Sequence, residues 1–272
     1  MAEKMTQYSL KQIKDAYIQK KEWEKQFPMN YFFVRPVSFY LTYLALKVTR
    51  DAAKVAIFGF SLGVIGCFFL ATSSFFSIWP GILFVALYSF SDAVDGNIAR
   101  TTLNVTLFGK YLDGLLGELI DGSYLLFFGI GLYFSWDASK DPVISYLLPN
   151  HTQILPLLLG ALSLISRLWA THFRNSYEIY RIRREGLQPV DDSQVKSIIG
   201  KSKYHDRWYF LVLINLESLN TQLLLLILLA IIGLEIWFLV FFTCFFMGRA
   251  FIYFIFYFTK TKSELTHSAE NF

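Results

Sequence analysis

The chain has 272 residues, 54% of them hydrophobic and 18% aromatic, with 28 Phe and 16 Tyr, and its mean hydropathy is +0.42. That balance excludes an ordinary soluble domain, and the length suits one compact membrane domain of several spans. A net charge of +4 gives no reason to expect a nucleic-acid partner. Cys67 and Cys244, far apart in apolar runs, supply neither a zinc spacing nor a disulfide framework and read as small buried hydrophobes.

Residues 1–27 are polar and Lys-rich with no early apolar run, so no cleavable signal peptide is expected. Leu10, Ile13, Tyr17 and Trp23 scattered among the charges predict an amphipathic helix on the cytoplasmic surface, with Trp23 and Phe27 at the interface. Pro28 and Pro36 interrupt this pattern. The Tyr-rich stretch up to Lys47 is too short for a span and predicts an interfacial helix in the membrane plane.

Six apolar segments of about 20 residues follow, each long enough to cross a bilayer. They run from about Lys54 to Phe76, Trp79 to Ala99, Gly109 to Trp136, Ile154 to His172, Tyr209 to Ile232, and Glu235 to Phe258. The expected fold is therefore all-α and integral to the membrane. Six transmembrane helices occupy one domain over 28–260, between the arm at 1–27 and a cytoplasmic tail at 261–272. Lys and Arg concentrate in the arm, the 96–110 link, the 174–207 loop and the tail, and are scarce in the 136–151 and 233–235 turns. The positive-inside rule then places both termini, and the 96–110 link, in the cytoplasm.

The second and third segments carry acids in apolar surroundings, where a charge is costly and points to function. Asp92 and Asp95 are three apart and share a helical face, as do Asp113 and Asp121, two turns apart. Two acid-bearing helices joined by a short link supply the oxygens a hard cation such as Mg²⁺ needs. A purely structural reading would have the acids pair with Arg100 and Lys110 to staple the helices, but buried ion pairs are a weak source of stability.

Taken together, Asp92, Asp95, Gly96, Ala99, Arg100, Gly109 and Asp113 keep the spacing D-x2-D-G-x2-A-R-x8-G-x3-D. This resembles the signature of the CDP-alcohol phosphatidyltransferase family, which ends in a further x3-D. Here that last position is Gly117. The resemblance implies transfer of a substituted phosphate from a CDP-linked donor, above all CDP-diacylglycerol, to an alcohol, with release of CMP in phospholipid biosynthesis. It implies two divalent ions, Mg²⁺ or Mn²⁺, held by Asp92, Asp95 and Asp113. It also implies nucleotide and diphosphate contacts from Gly96, Ala99, Arg100, Thr106 and Gly109, membrane lipids around the chain, and a homodimer. Arg50 to Lys54 stand where many members have a Ser-Pro-Asn-like start that helps hold the nucleotide.

The missing carboxylate leaves Asp121, one turn beyond Gly117, as the candidate base and fourth ligand; Glu118 points about 100° away. A second register, Gly117-Glu118-Leu119-Ile120-Asp121, is similar to a run in choline and ethanolamine phosphotransferases, but needs a longer spacer after Arg100. A third reading is a noncatalytic nucleotide- or lipid-binding membrane protein that lost its base. Arg167 and Arg249, in the cytoplasmic halves of the fourth and sixth segments, are candidates to hold an acceptor's phosphate.

Overall fold

A computed structural model describes residues 8–73, 77–137, 141–147, 152–185 and 208–269. Among them there is no strand. The helices are α1 (Leu10–Ala16), α2 (Ile18–Glu24), α3 (Arg35–Ala45), α4 (Ala52–Ala71), α5 (Trp79–Thr101), α6 (Leu107–Ser135) and α7 (Pro142–Leu147). They continue with α8 (Leu155–Glu185), α9 (Trp208–Glu217), α10 (Leu219–Ile231) and α11 (Glu235–Ala269). Five of them, α4, α5, α6, α8 and α11, are long and apolar enough to cross a membrane, and α9 with α10 forms a sixth, broken candidate. The protein is an all-α, multi-pass membrane protein.

The expected fifth span is not one helix. Its two halves meet at 79°, with Ser218 between them in an extended conformation. Such a break exposes backbone groups that must find partners within the protein. Gln222 Nε2 donates to the Leu216 carbonyl at 2.7 Å, and Gln222 Oε1 accepts from the buried Tyr124 hydroxyl. Asn215 donates to the Gln26 carbonyl at 2.7 Å, while Asn220 donates to Asn30 and accepts from Ser89, both at 2.7 Å. Polar side chains thus tether the bent pair to the arm and to α5.

The chain divides into two compact units. The first comprises Met1–Tyr124 and Tyr204–Gly233, the second Leu125–Lys203 and Leu234–Phe272. In the first, α4 receives both acid-bearing helices. A Cβ on Gly59 would lie 2.6 Å from Ser91 Oγ, so only glycine lets α5 come this close. Ser91 Oγ also donates to the Val55 carbonyl at 3.1 Å, and Ile120 of α6 seats against Gly63. In the second unit, Gly129 of α6 and Gly160 of α8 allow backbone contact, and a Cβ on Gly129 would meet the Pro156 carbonyl at 2.5 Å. Beside them Phe128, Phe238, Phe242 and Phe246 are fully buried, and Ser163 and Thr243 share a hydrogen bond of 2.8 Å. Helix α8 continues to Glu185, so the predicted 174–207 loop begins as helix; its 186–207 portion lies outside the described residues.

The arm is two short helices rather than one, parted at Tyr17, and it packs inward. Ile13 and Tyr17 are buried with Phe39 and Leu46 at α3 and with Val94 and Ile98 on α5. Helix α3 buries Arg35, Ser38, Phe39 and Thr42 while Val37, Tyr40, Leu41 and Leu44 are exposed. An outward apolar face over a largely polar inner one suits a helix lying in the interface.

A buried polar network joins these pieces. Arg35 donates from Nε and Nη2 to the two carboxylate oxygens of Glu24, which also accepts from the Tyr17 hydroxyl at 2.6 Å and faces Lys20 Nζ at 3.1 Å. Arg35 Nη1 reaches Asn97 Oδ1 at 3.2 Å, and Asn97 Nδ2 donates to Ser38 and Thr42 at 3.1 and 3.2 Å. Burial alone would raise the Glu24 pKa, but the Arg35 hydrogen bonds and the Lys20 charge outweigh it and hold the carboxyl below its ordinary 4.5. A depressed carboxyl contributes stability above its unfolded pKa and loses it as pH falls through the folded value. Glu24→Gln or Arg35→Met, each stranding a buried partner, should cost about 3–5 kcal/mol. Thermal unfolding in detergent should show the acid-induced loss of stability in the wild type and a weaker one in Glu24→Gln. The double variant Glu24→Leu/Arg35→Met should be less damaged than the sum of the single changes, since neither charge is then stranded.

Candidate functional site

Asp92 and Asp95 lie in the second half of α5, and Asp113 in the first turns of α6. The three offer carboxylate oxygens that all lie within 4.8 Å of one another, with Asp95 buried and the other two open. They line a cleft together with Tyr88 on α5, Ala56 and Gly59 on α4, and Leu116 and Gly117 on α6. Three acids this close repel unless something positive sits among them. The donor set, all oxygen and partly open, fits a hard divalent cation.

Gly117 faces this cleft, and a Cβ there would stand 3.7 Å from the Tyr88 hydroxyl, an ordinary contact. Position 117 therefore has room for a Cβ. Asp121 is not part of the three-acid group; it lies one helical turn beyond Gly117 on α6.

The other motif residues take more local roles. Arg100 folds back over Gly96, where a Cβ would come within 3.1 Å of Arg100 Nη2, so the space opened by this glycine holds the guanidinium. Arg100 Nη2 donates to Asn97 Oδ1 at 3.0 Å. Asn97 Oδ1 thereby joins Arg35 and Arg100. Arg100 Nε is buried without a hydrogen-bond partner among the described residues. Ala99 is half-buried on the same helix. Thr106 caps α6, its hydroxyl accepting from the Gly109 amide at 2.9 Å. The start of α4 is capped likewise by Asp51, which accepts from the Ala53 amide at 3.0 Å. Arg167 and Arg249 belong to the second unit, where their guanidinium groups lie over the Phe246 and Tyr253 rings at 5.3 and 5.0 Å.

Sequence reasoning missed Tyr88, Asn97 and the Glu24–Arg35 pair. Tyr88 carries the one signal that could have found it: it precedes Asp92 by one helical turn and so shares the acid face.

Three carboxylates thus converge on helices suited to a bilayer, an arrangement that could hold a divalent cation in a membrane protein. Residues 52–171 match the CDP-alcohol phosphatidyltransferase family, and this segment is similar to its members. An archaetidylinositol phosphate synthase of Pyrococcus horikoshii is 29% identical over 120 residues, 42% of this chain and 63% of that protein. A phosphatidylinositol phosphate synthase of Cutibacterium acnes is 36% identical over 76 residues, 27% of this chain and 36% of the other. A bifunctional IPC transferase and DIPP synthase of Aquifex aeolicus is 32% identical over 95 residues, 35% of this chain and 21% of the other. The chain thus spans less than two thirds of the length of each of these relatives.

Proposed function

We propose that the protein transfers a substituted phosphate from a CDP-linked lipid, CDP-diacylglycerol, to an alcohol acceptor and releases CMP. The observation that carries this reading is the convergence of Asp92, Asp95 and Asp113, three acids at the family's spacing, on one cleft. Asp92, Asp95 and Asp113 would hold two Mg²⁺ or Mn²⁺ ions, which when bound neutralise charge on the attacking and leaving oxygens.

The chain's own groups supply the rest. Arg100, braced by Asn97, presents a planar fork to a donor phosphate. Asp121 takes the proton of the attacking hydroxyl, since the carboxylate usual at 117 is missing. Arg167 and Arg249 are the residues to hold a phosphate on the acceptor. Two of the relatives are named as an archaetidylinositol phosphate synthase and a phosphatidylinositol phosphate synthase, which favours a phosphorylated polyol as the alcohol. Working as a homodimer, the domain of residues 28–260 would carry the whole reaction. Purified protein given CDP-diacylglycerol and single alcohols should form a new phospholipid with inositol phosphate. CMP release with no alcohol dependence would refute the transfer, and nucleotide binding without any release would favour the noncatalytic reading that Gly117 suggests.

Orientation belongs to the same proposal. The basic link between α5 and α6 would face the cytoplasm, and the turn after α6 the opposite side. Single cysteines at Asn104 and Asp137, both exposed, in a background lacking Cys67 and Cys244, should label from opposite sides of sealed vesicles. Labelling of Asn104→Cys only from the outside would overturn the cytoplasmic site.

A further inference from the structure

Tyr88 is 5% exposed, in a helix whose acid-bearing face it shares, and it lines the cleft with the three acids. Its hydroxyl stands 3.7 Å from where a side chain at Gly117 would begin. A phenol enclosed this far would pack as well without its oxygen, so a buried hydroxyl at this spot points to a polar partner. Asp121 follows Gly117 by one helical turn on α6. Tyr88 therefore shares the cleft with the three carboxylates and Gly117, and Asp121 is the next acid along α6.

We propose that Tyr88 is a catalytic residue that takes over the work of the side chain missing at Gly117, linking the acceptor's attacking hydroxyl to Asp121. This rests on the transfer reading given above. The acceptor oxygen forms its bond to the phosphorus bearing the lipid group, and the bond from that phosphorus to CMP breaks, CMP leaving with the electron pair. The acceptor's proton passes to Tyr88 Oη while the Tyr88 proton passes to Asp121. Tyr88 is neutral before and after the step, and Asp121 ends protonated. The link accounts for two features together: a glycine that leaves a gap in the cleft, and a carboxylate one helical turn beyond it. Four residues of helix separate Asp121 from position 117, a shift of about 6 Å, which one interposed hydroxyl spans.

The test is Tyr88→Phe in the full-length protein, which removes one oxygen and leaves the ring. With Mg²⁺, CDP-diacylglycerol and inositol phosphate, kcat for CMP release should fall at least about a hundredfold, the usual lower range for a lost proton-transfer group. Affinity for Mn²⁺, read by its paramagnetic resonance, and for CMP should stay at wild-type values. Adding Gly117→Asp to Tyr88→Phe, a substitution the space allows, should return most of the lost turnover. Normal turnover in Tyr88→Phe overturns the proposal, as does a loss that comes with weakened Mn²⁺ and CMP binding or that Gly117→Asp does not restore. A wild-type protein that releases no CMP refutes the transfer reading itself, and the link with it.

Discussion

Replacing Asp92, Asp95 or Asp113 by Asn is expected to abolish CMP release while the protein still inserts and folds. Asn keeps the volume and one oxygen of Asp but removes the charge, so each variant weakens the hold on a divalent ion. Charge stabilisation of several kcal/mol is at stake, which corresponds to a loss of at least about a thousandfold. Folding should not suffer: three carboxylates packed within 4.8 Å oppose one another, and a neutral amide is cheaper in apolar surroundings than a charge. Activity would be followed as CMP released from CDP-diacylglycerol, and folding by thermal unfolding in detergent. Equal or greater thermal stability with no turnover is the expected pair of results. Turnover within tenfold of wild type in any of the three would remove that acid from the site.

The second large effect concerns position 117 and its neighbour one turn on. Asp121→Asn should lower kcat at least about a hundredfold if Asp121 accepts the acceptor's proton. Gly117→Asp, which restores the family pattern and whose Cβ would meet only the Tyr88 hydroxyl, at 3.7 Å, should preserve or raise activity. The combination is more telling than either change alone. With a carboxylate at 117, loss of Asp121 should matter much less, because a closer base is available. If Asp121→Asn is equally damaging in both backgrounds, Asp121 serves the structure around Asp92 and Tyr88 rather than the proton transfer.

The acids could be read from the sequence because spacing on a helix is a local property. Asp92 and Asp95 share a face at any tertiary arrangement, and Asp113 follows at a distance set by a short link. The spans were legible for a similar reason, since apolar length alone determines whether a helix can cross a bilayer. What depends on distant partners was hidden. Glu24 and Arg35 are eleven residues apart and Arg35 and Asn97 sixty-two, so no pattern in the arm announces that it is pinned to α5. The break at Ser218 lies in an apolar run and is fixed by Gln222, Asn215 and Asn220, whose partners come from elsewhere in the first unit. Tyr88 looked like one more aromatic in a lipid-facing stretch; only the approach of α6 turns its hydroxyl into part of the cleft. Gly96 was expected to admit a ligand, and its space is instead taken by the Arg100 guanidinium.

The most direct measurement is CMP release by the purified wild-type protein from CDP-diacylglycerol and inositol phosphate, followed while divalent ions are removed and restored. Turnover that disappears with EDTA, returns with Mg²⁺ or Mn²⁺, and does not return in Asp113→Asn is the result expected of a metal-assisted transfer at this cleft. Turnover that survives complete chelation, or that persists unchanged in Asp113→Asn, would contradict it.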